Sequence, residues 1–168
     1  MDFKDIEQLT KTASYKPQIP LEDVPYTIER YVSQYGLQLN PDFQRGHVWT
    51  TEQQIAFVTY LLRGGASGRD IYFNHPGWMG SFEGEFVCVD GLQRLTAIMR
   101  FLNDEIRVFG KLFSEFTGRM PSGNDLTFHI NDLKNRKDVL TWYLEMNSGG
   151  TPHSEEELNR VRKLADEA

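Results

Sequence analysis

Residues 86–102 read FVCVDGLQRLTAIMRFL, and the run changes character at Asp90-Gly91. Phe86–Val89 is a short apolar stretch of strand type. From Leu92 onward, Leu95, Ile98, Met99 and Leu102 recur at helical spacing. A strand that runs straight into a helix is the building unit of an α/β domain. Asp-Gly is also a common turn, and Arg94 reads equally as a solvated cation. The chemical alternative is more specific. A helix start leaves backbone N–H groups unpaired, and together with the positive end of the helix dipole they seat an anion such as phosphate. On that reading Gly91 lets the anion approach closely. Gln93 and Arg94 lie in the first turn, where a cation opposes the dipole unless an anion sits nearby. Asp90 then holds a divalent cation or acts as a base toward a hydroxyl or water.

The elements around this junction follow from periodicity and breakers. YTIERYVSQYGL sets Ile28, Tyr31, Val32 and Tyr35 on one helical face, closed by Gly36. TTEQQIAFVTYLL is a helix capped by Thr50 or Thr51, with Ile55, Val58, Leu61 and Leu62 as its stripe. The glycine-rich RGGASGRD leads to a strand at IYFN, and HPGWMGSFEGE makes a hairpin-like loop before the next strand. Short strands are expected near 106–108 and 126–130. RKDVLTWYLEMN is helical, and HSEEELNRVRKLADEA is a second helix with Ser154 and Glu157 in capping-box register. The expectation is an α/β (α+β) fold with a small mixed β-sheet flanked by helices. It comprises a loosely held arm over residues 1–20 and a single domain over 21–168.

Composition narrows the class. The 168 residues carry a net charge of −6 with 39% hydrophobic and 25% charged content, which suits a folded chain and argues against coating nucleic acid by bulk electrostatics. No apolar run approaches the roughly 20 residues that span a bilayer, so no membrane partner is expected. The N-terminus lacks a signal-type apolar core. The single cysteine, Cys88, lies in the strand and is read as a buried small hydrophobe in a cytoplasmic protein.

Two further stretches carry candidate chemistry. In PDFQRGHVW, Phe43 and Trp49 flank Gln44-Arg45, with His47 between. This reads either as a surface loop anchored by aromatics or as a recognition loop in which Arg45 meets a phosphate or carboxylate and an aromatic stacks on a base. In MNSGGTPHSEEEL, Asn147 and Gly149-Gly150 are open to a ligand role beside an ordinary helix break.

Taken in order, NPDFQRGHVW, VDGLQRLTA and NSGGTPHSEEEL resemble the N-terminal domain of GmrSD-type modification-dependent restriction systems over roughly residues 24–160. Gly91-Leu92-Gln93-Arg94, extended by Ala97, is also similar to the Gly-x-x-Arg signature of the ParB/sulfiredoxin-like superfamily. The resemblance implies a nucleoside triphosphate bound with Mg²⁺ over the Gly-x-x-Arg helix start. Asp90 and Arg94 would be the catalytic pair, and Asp90 the metal ligand. Gln44, Arg45, Gly91, Gln93 and Thr96 would be the phosphate set, Asn147 and Gly150 would close the pocket, and Phe43 and Trp49 are the stacking candidates. Leu92 departs from relatives that carry glutamine there.

The function implied is an NTPase tied to DNA modification or restriction, in a phage or defence setting. Two alternatives stand beside it. One is a small kinase that phosphorylates a hydroxyl on a metabolite or a hydroxymethylated DNA base. The other is a non-catalytic module that senses nucleotide or DNA, or inhibits a host system. His47, His75, His129 and His153 show no zinc spacing, so DNA cleavage would fall to a DNA-acting partner.

Overall fold

A computed structural model describes residues 1–8, 15–44, 48–78, 80–148 and 155–168. Among the described residues the chain forms a four-stranded mixed sheet and five α-helices. In chain order these are β1 (Gln18–Pro20), α1 (Val24–Tyr35), α2 (Thr51–Leu62), β2 (Asp70–Asn74), β3 (Val87–Asp90), α3 (Leu92–Leu102), β4 (Asp125–Asn131), α4 (Arg136–Ser148) and α5 (Glu155–Glu167). Across the sheet the order is β1-β4-β2-β3. β4 runs parallel to β2, and the two outer pairs are antiparallel. The α/β class expected from the sequence is the class observed.

Strand alternation divides the core in two. Ile71 and Phe73 of β2, Phe86 and Cys88 at β3, and Leu126, Phe128 and Ile130 of β4 join one cluster with the buried faces of α1, α2 and α3. Val87 and Val89 point the other way and pack with Val139, Leu140, Trp142 and Tyr143 of α4 and with Val161 and Ala165 of α5. The sheet is therefore the middle of three layers. Tyr31 seats α1 on it, with ring centroids 5.5 Å from Phe86, 6.2 Å from Phe128 and 6.4 Å from Phe73. Burial pushes the Tyr31 hydroxyl up to about 12.

Helix ends follow the local chemistry. Gly36 closes α1 with φ +67°. Thr50 and Gln53 form a reciprocal capping box at α2. At the other end of α2, Arg69 donates to the carbonyls of Leu61 (3.1 Å), Gly65 (2.7 Å) and Asp125 (3.2 Å). One guanidinium thus ties the helix terminus, the glycine-rich connector and the start of β4 together. The buried faces differ slightly from the periodic reading. Val32 is exposed and Thr27 is buried on α1, while Ala97 and Phe101 join Leu95 and Ile98 inside α3.

Two expectations are corrected. Residues 106–108 form no strand, only an isolated bridge in which Val108 and Lys111 exchange backbone hydrogen bonds around the Phe109-Gly110 turn. The end of the 1–20 arm is not loose: Gln18–Pro20 pairs with Asp125–Thr127, and Tyr15 bridges Ile130. Pro20 cannot donate to a ladder, which suits this edge position. The Ser154 cap expected for α5 lies outside the described residues.

Gly91 is held by backbone and packing at once. Its φ is +105°, and a Cβ built there would lie 2.6 Å from Ile71 Cδ1 and 3.2 Å from Ile71 Cγ2. Gly91→Ala should lower stability by about 2–4 kcal/mol, from the left-handed backbone and the overpacking together. Part of that loss should return in an Ile71→Ala background, as read by chemical denaturation. On the opposite face, Arg136 grips Asp42 at 2.6 and 2.7 Å and holds its carboxyl below the ordinary 3.8. The pair is half exposed, so its worth is under about 1 kcal/mol. A depressed folded value adds stability that is full above 3.8 and lost as pH falls below it. The melting difference between the wild type and Asp42→Asn should therefore shrink in that acid window.

Candidate functional site

The strand-to-helix junction is where the candidate residues meet. β3 carries one extra residue against β2: Phe73 pairs with Cys88 while Tyr72 pairs with Asp90, so Val89 and Asp90 together oppose Tyr72. Such a bulge re-aims the side chain that follows it. Asp90 accordingly acts on Tyr72 and Tyr143, both packed on the α4–α5 side. It helps raise each hydroxyl, although burial is the larger cause in both. Tyr143 is pushed up to about 12, with Glu157 adding to the rise and Arg160 opposing it.

Arg94 sits one turn into α3 and reaches back. Its Nη2 donates to Asp90 Oδ2 at 2.9 Å, and its Nη1 donates to the Asp70 carbonyl at 2.8 Å. The sequence predicted an anion beside this cation, and the Asp90 carboxylate already meets that requirement. The pair is partly open, with side-chain exposures of 19% for Arg94 and 35% for Asp90. No side chain caps α3. Among the described residues the N–H groups of Leu92, Gln93 and Arg94 find no acceptor.

The PDFQ segment is brought to the same place. Leu37–Leu39 runs along the outer edge of β3, where Gln38 N–H donates to the Phe86 carbonyl (2.8 Å) and Gln38 O accepts from Cys88 N–H (3.0 Å). The chain then turns at Asp42–Gln44, and the Gln44 side-chain amide donates to the Cys88 carbonyl. Gln93 completes the join, its Oε1 accepting from Trp49 N–H at 2.9 Å. Gln44, Trp49, Asp90, Gly91, Gln93 and Arg94 therefore gather around the end of β3. Arg45, His47, Gly149 and Gly150 lie outside the described residues.

The individual candidates lie in different surroundings. Phe43 is 1% exposed, packed edge-on against Tyr143 at 5.2 Å in the second core, so it cannot stack on a base. Its neighbours Gln44 and Asp42 are the polar residues of that turn, and the aromatic is the anchor beneath them. Trp49 is half-buried with Phe57 edge-on at 5.4 Å, which leaves it only partly accessible. The space a side chain would take at Gly91 is filled by Ile71 and by Arg94, whose Nη2 lies 3.4 Å from that position, so packing rather than ligand approach accounts for the glycine. Thr96 donates to the Leu92 carbonyl at 2.8 Å, and Asn147 donates to the Tyr143 carbonyl at 2.7 Å. Leu92 packs against the first core. Cys88 is fully buried, and burial pushes its thiol up to about 12.

Sequence reasoning missed the floor of the site. Asp70, Tyr72 and His129 lie beside the Asp90–Arg94 pair, with the Tyr72 and His129 rings stacked at 4.5 Å and 15°. Strand pairing, which periodicity does not encode, is what assembles them. Arg160 of α5 also reaches in, donating to the carbonyls of Asp42 (2.8 Å) and Phe43 (3.3 Å). Among the described residues no group of three or more His, Cys, Asp or Glu side chains forms a metal cage.

Comparison with known proteins adds one match. No curated protein and no solved structure matches the chain. A family model, described as the N-terminal domain of the GmrSD restriction endonuclease, matches residues 28–125. That span takes in PDFQRGHVW and VDGLQRLTA and ends before Asn147, so it is narrower than the resemblance read from the motifs. It covers more than half of the chain, and the protein belongs to the family of GmrSD restriction endonuclease N-terminal domains.

Proposed function

We propose that this chain is a nucleotide-handling domain of a restriction-type system, in which a nucleoside triphosphate with Mg²⁺ binds at the β3–α3 junction and loses or transfers its terminal phosphate. The observation that carries the proposal is Arg94 poised over an uncapped helix start. Among the described residues its Nη2 meets only the partly open Asp90 carboxylate, while its Nη1 is anchored on the β2 backbone. A bound phosphate would accept from the N–H groups of Leu92 and Gln93 and compete with Asp90 for the Nη2 edge. Asp90, released from the guanidinium, would then be free to hold Mg²⁺. One carboxylate together with substrate phosphates is a sufficient protein contribution for that ion, so no dedicated cage is required. The positive end of the α3 dipole and Arg94 would stabilise charge on the departing diphosphate. The family's description supports coupling this chemistry to a DNA-directed restriction activity supplied with or by a partner.

One observation favours a second reading, a module that binds nucleotide without turning it over. Leu92 is packed against the core, and one end of each of the Gln44 and Gln93 amides is held by a backbone partner. That leaves fewer polar side chains to organise a reaction.

Thermal shift with ATP, GTP, CTP and UTP, each with Mg²⁺, tests the shared pocket. At a hundred times the dissociation constant a ligand should add about 2.7 kcal/mol of apparent stability. At least one nucleotide should raise the midpoint and release phosphate. Asp90→Asn should cut release at least tenfold, because the metal and its charge are lost. Binding without release, with or without DNA, would select the second reading. Transfer of labelled phosphate to hydroxymethylated but not plain DNA would identify a kinase. No shift with any of the four at millimolar concentration would overturn the proposal.

A further inference from the structure

In the proposed reading Asp90 parts from Arg94 to hold Mg²⁺, so the proton of the acceptor needs a separate group. A different pair on the same face is built for that task. His129 Nε2 lies 2.6 Å from Asp70 Oδ1, with the imidazole 15% and the carboxylate 54% exposed. A carboxylate only accepts at that distance, so Nε2 carries the hydrogen and the lone pair of the neutral ring is on Nδ1. Among the described residues Nδ1 has no hydrogen-bond partner. The ring is locked twice, by Asp70 at its edge and by the Tyr72 ring stacked on its face.

The placement matters as much as the pair. Asp90, Tyr72 and His129 are successive partners across β3, β2 and β4, so they form one row across the sheet. Adjacent strands are about 4.8 Å apart, which puts the His129 and Asp90 backbones about 10 Å from each other. Arg94 spans part of that gap, bonded to the Asp90 side chain at one end and to the Asp70 backbone at the other. Tyr72 sits between the two acids in the sheet, with Asp70 two residues before it on β2 and Asp90 its partner on β3. Phosphate-facing cation, metal-binding acid and an oriented imidazole thus lie along one line.

We infer that His129, oriented by Asp70, is the general base of this site and takes the proton of the acceptor, water or an alcohol, that attacks the terminal phosphate. The inference rests on the phosphoryl-transfer reading above. The acceptor oxygen forms the new bond to the γ-phosphorus. The bond from that phosphorus to the β–γ bridging oxygen breaks, and its electron pair leaves on the nucleoside diphosphate. The acceptor proton passes to Nδ1 and from there to solvent. Asp70 stabilises the imidazolium that forms in the step, and Tyr72 keeps the ring in plane.

The test uses the full chain with whichever of the four nucleotides raises its midpoint. His129→Gln should lower phosphate release or transfer by about 10²–10⁴-fold and leave the nucleotide-induced midpoint shift unchanged. Asp70→Asn, at an exposed position, should lower it less and with the fold intact. Added imidazole should restore turnover to His129→Ala, an effect that a purely structural histidine would not show. Turnover within threefold of the wild type in both His129→Gln and Asp70→Asn, or no imidazole rescue of an inactive but folded His129→Ala, overturns the assignment while the phosphoryl-transfer reading survives. A wild type that binds nucleotide and turns none over removes both.

Discussion

Ile71 and Gly91 share a space that holds one side chain and no more. This close approach sets where α3 begins relative to β2, and the rest of the site is measured from it. With α3 drawn down onto the sheet, Arg94 is near enough to reach the Asp70 carbonyl on β2 and the Asp90 carboxylate on β3. A larger residue at position 91 would lift the helix start, and both bonds would lengthen together. The bulge at Val89-Asp90 is the second half of the constraint. Without the extra residue, Asp90 would follow Cys88 onto the first core's face and lie away from Tyr72.

The two polar joins to the PDFQ segment extend that logic outward. Gln44 donates to the Cys88 carbonyl of β3 and Gln93 accepts from Trp49 N–H, so the segment and the helix start hold each other in place. The Asp42–Arg136 pair and the Arg160 bonds add α4 and α5 to the same assembly. The partly exposed charges are thus tied to several elements at once, and in the proposed reading the Arg94–Asp90 pair is where a charge would exchange partners.

Much of the architecture is legible in the residues, and the exceptions have physical causes. α2 could be placed because Thr50 and Gln53 cap it locally, and α1 because Gly36 ends it. Those signals lie within a few residues of what they determine. The strand expected at 106–108 is absent because the Phe109-Gly110 turn folds Val108 back onto Lys111 at once, a local closure that two apolar residues in alternation do not reveal. The end of the arm was misjudged for the converse reason, since its partner lies more than a hundred residues away at Asp125–Thr127. The junction residues were found because Asp-Gly-x-x-Arg is contiguous. Asp70, Tyr72 and His129 were not, because parallel pairing of β2 with β4 brings them together. Phe43 turns out to be the anchoring aromatic of the two readings, which sequence alone could not separate because an aromatic beside Gln-Arg looks the same whether it faces a ligand or a core.

The strand order carries a consequence for how the molecule is made. β4, the strand that pairs with both β1 and β2, is formed by residues 125–131, after every other strand has left the ribosome. Until then β1 has no neighbour and β2 has one bare edge, Asp70–Asn74, with Ile71 and Phe73 uncovered on it. The β2–β3 hairpin can form locally, but closure needs a late insertion between two early strands, a high-contact-order step and a slow one. During that interval the bare edge is the surface most prone to pair with another chain. Folding yield should therefore be governed by how quickly β4 arrives, long before any ligand is met.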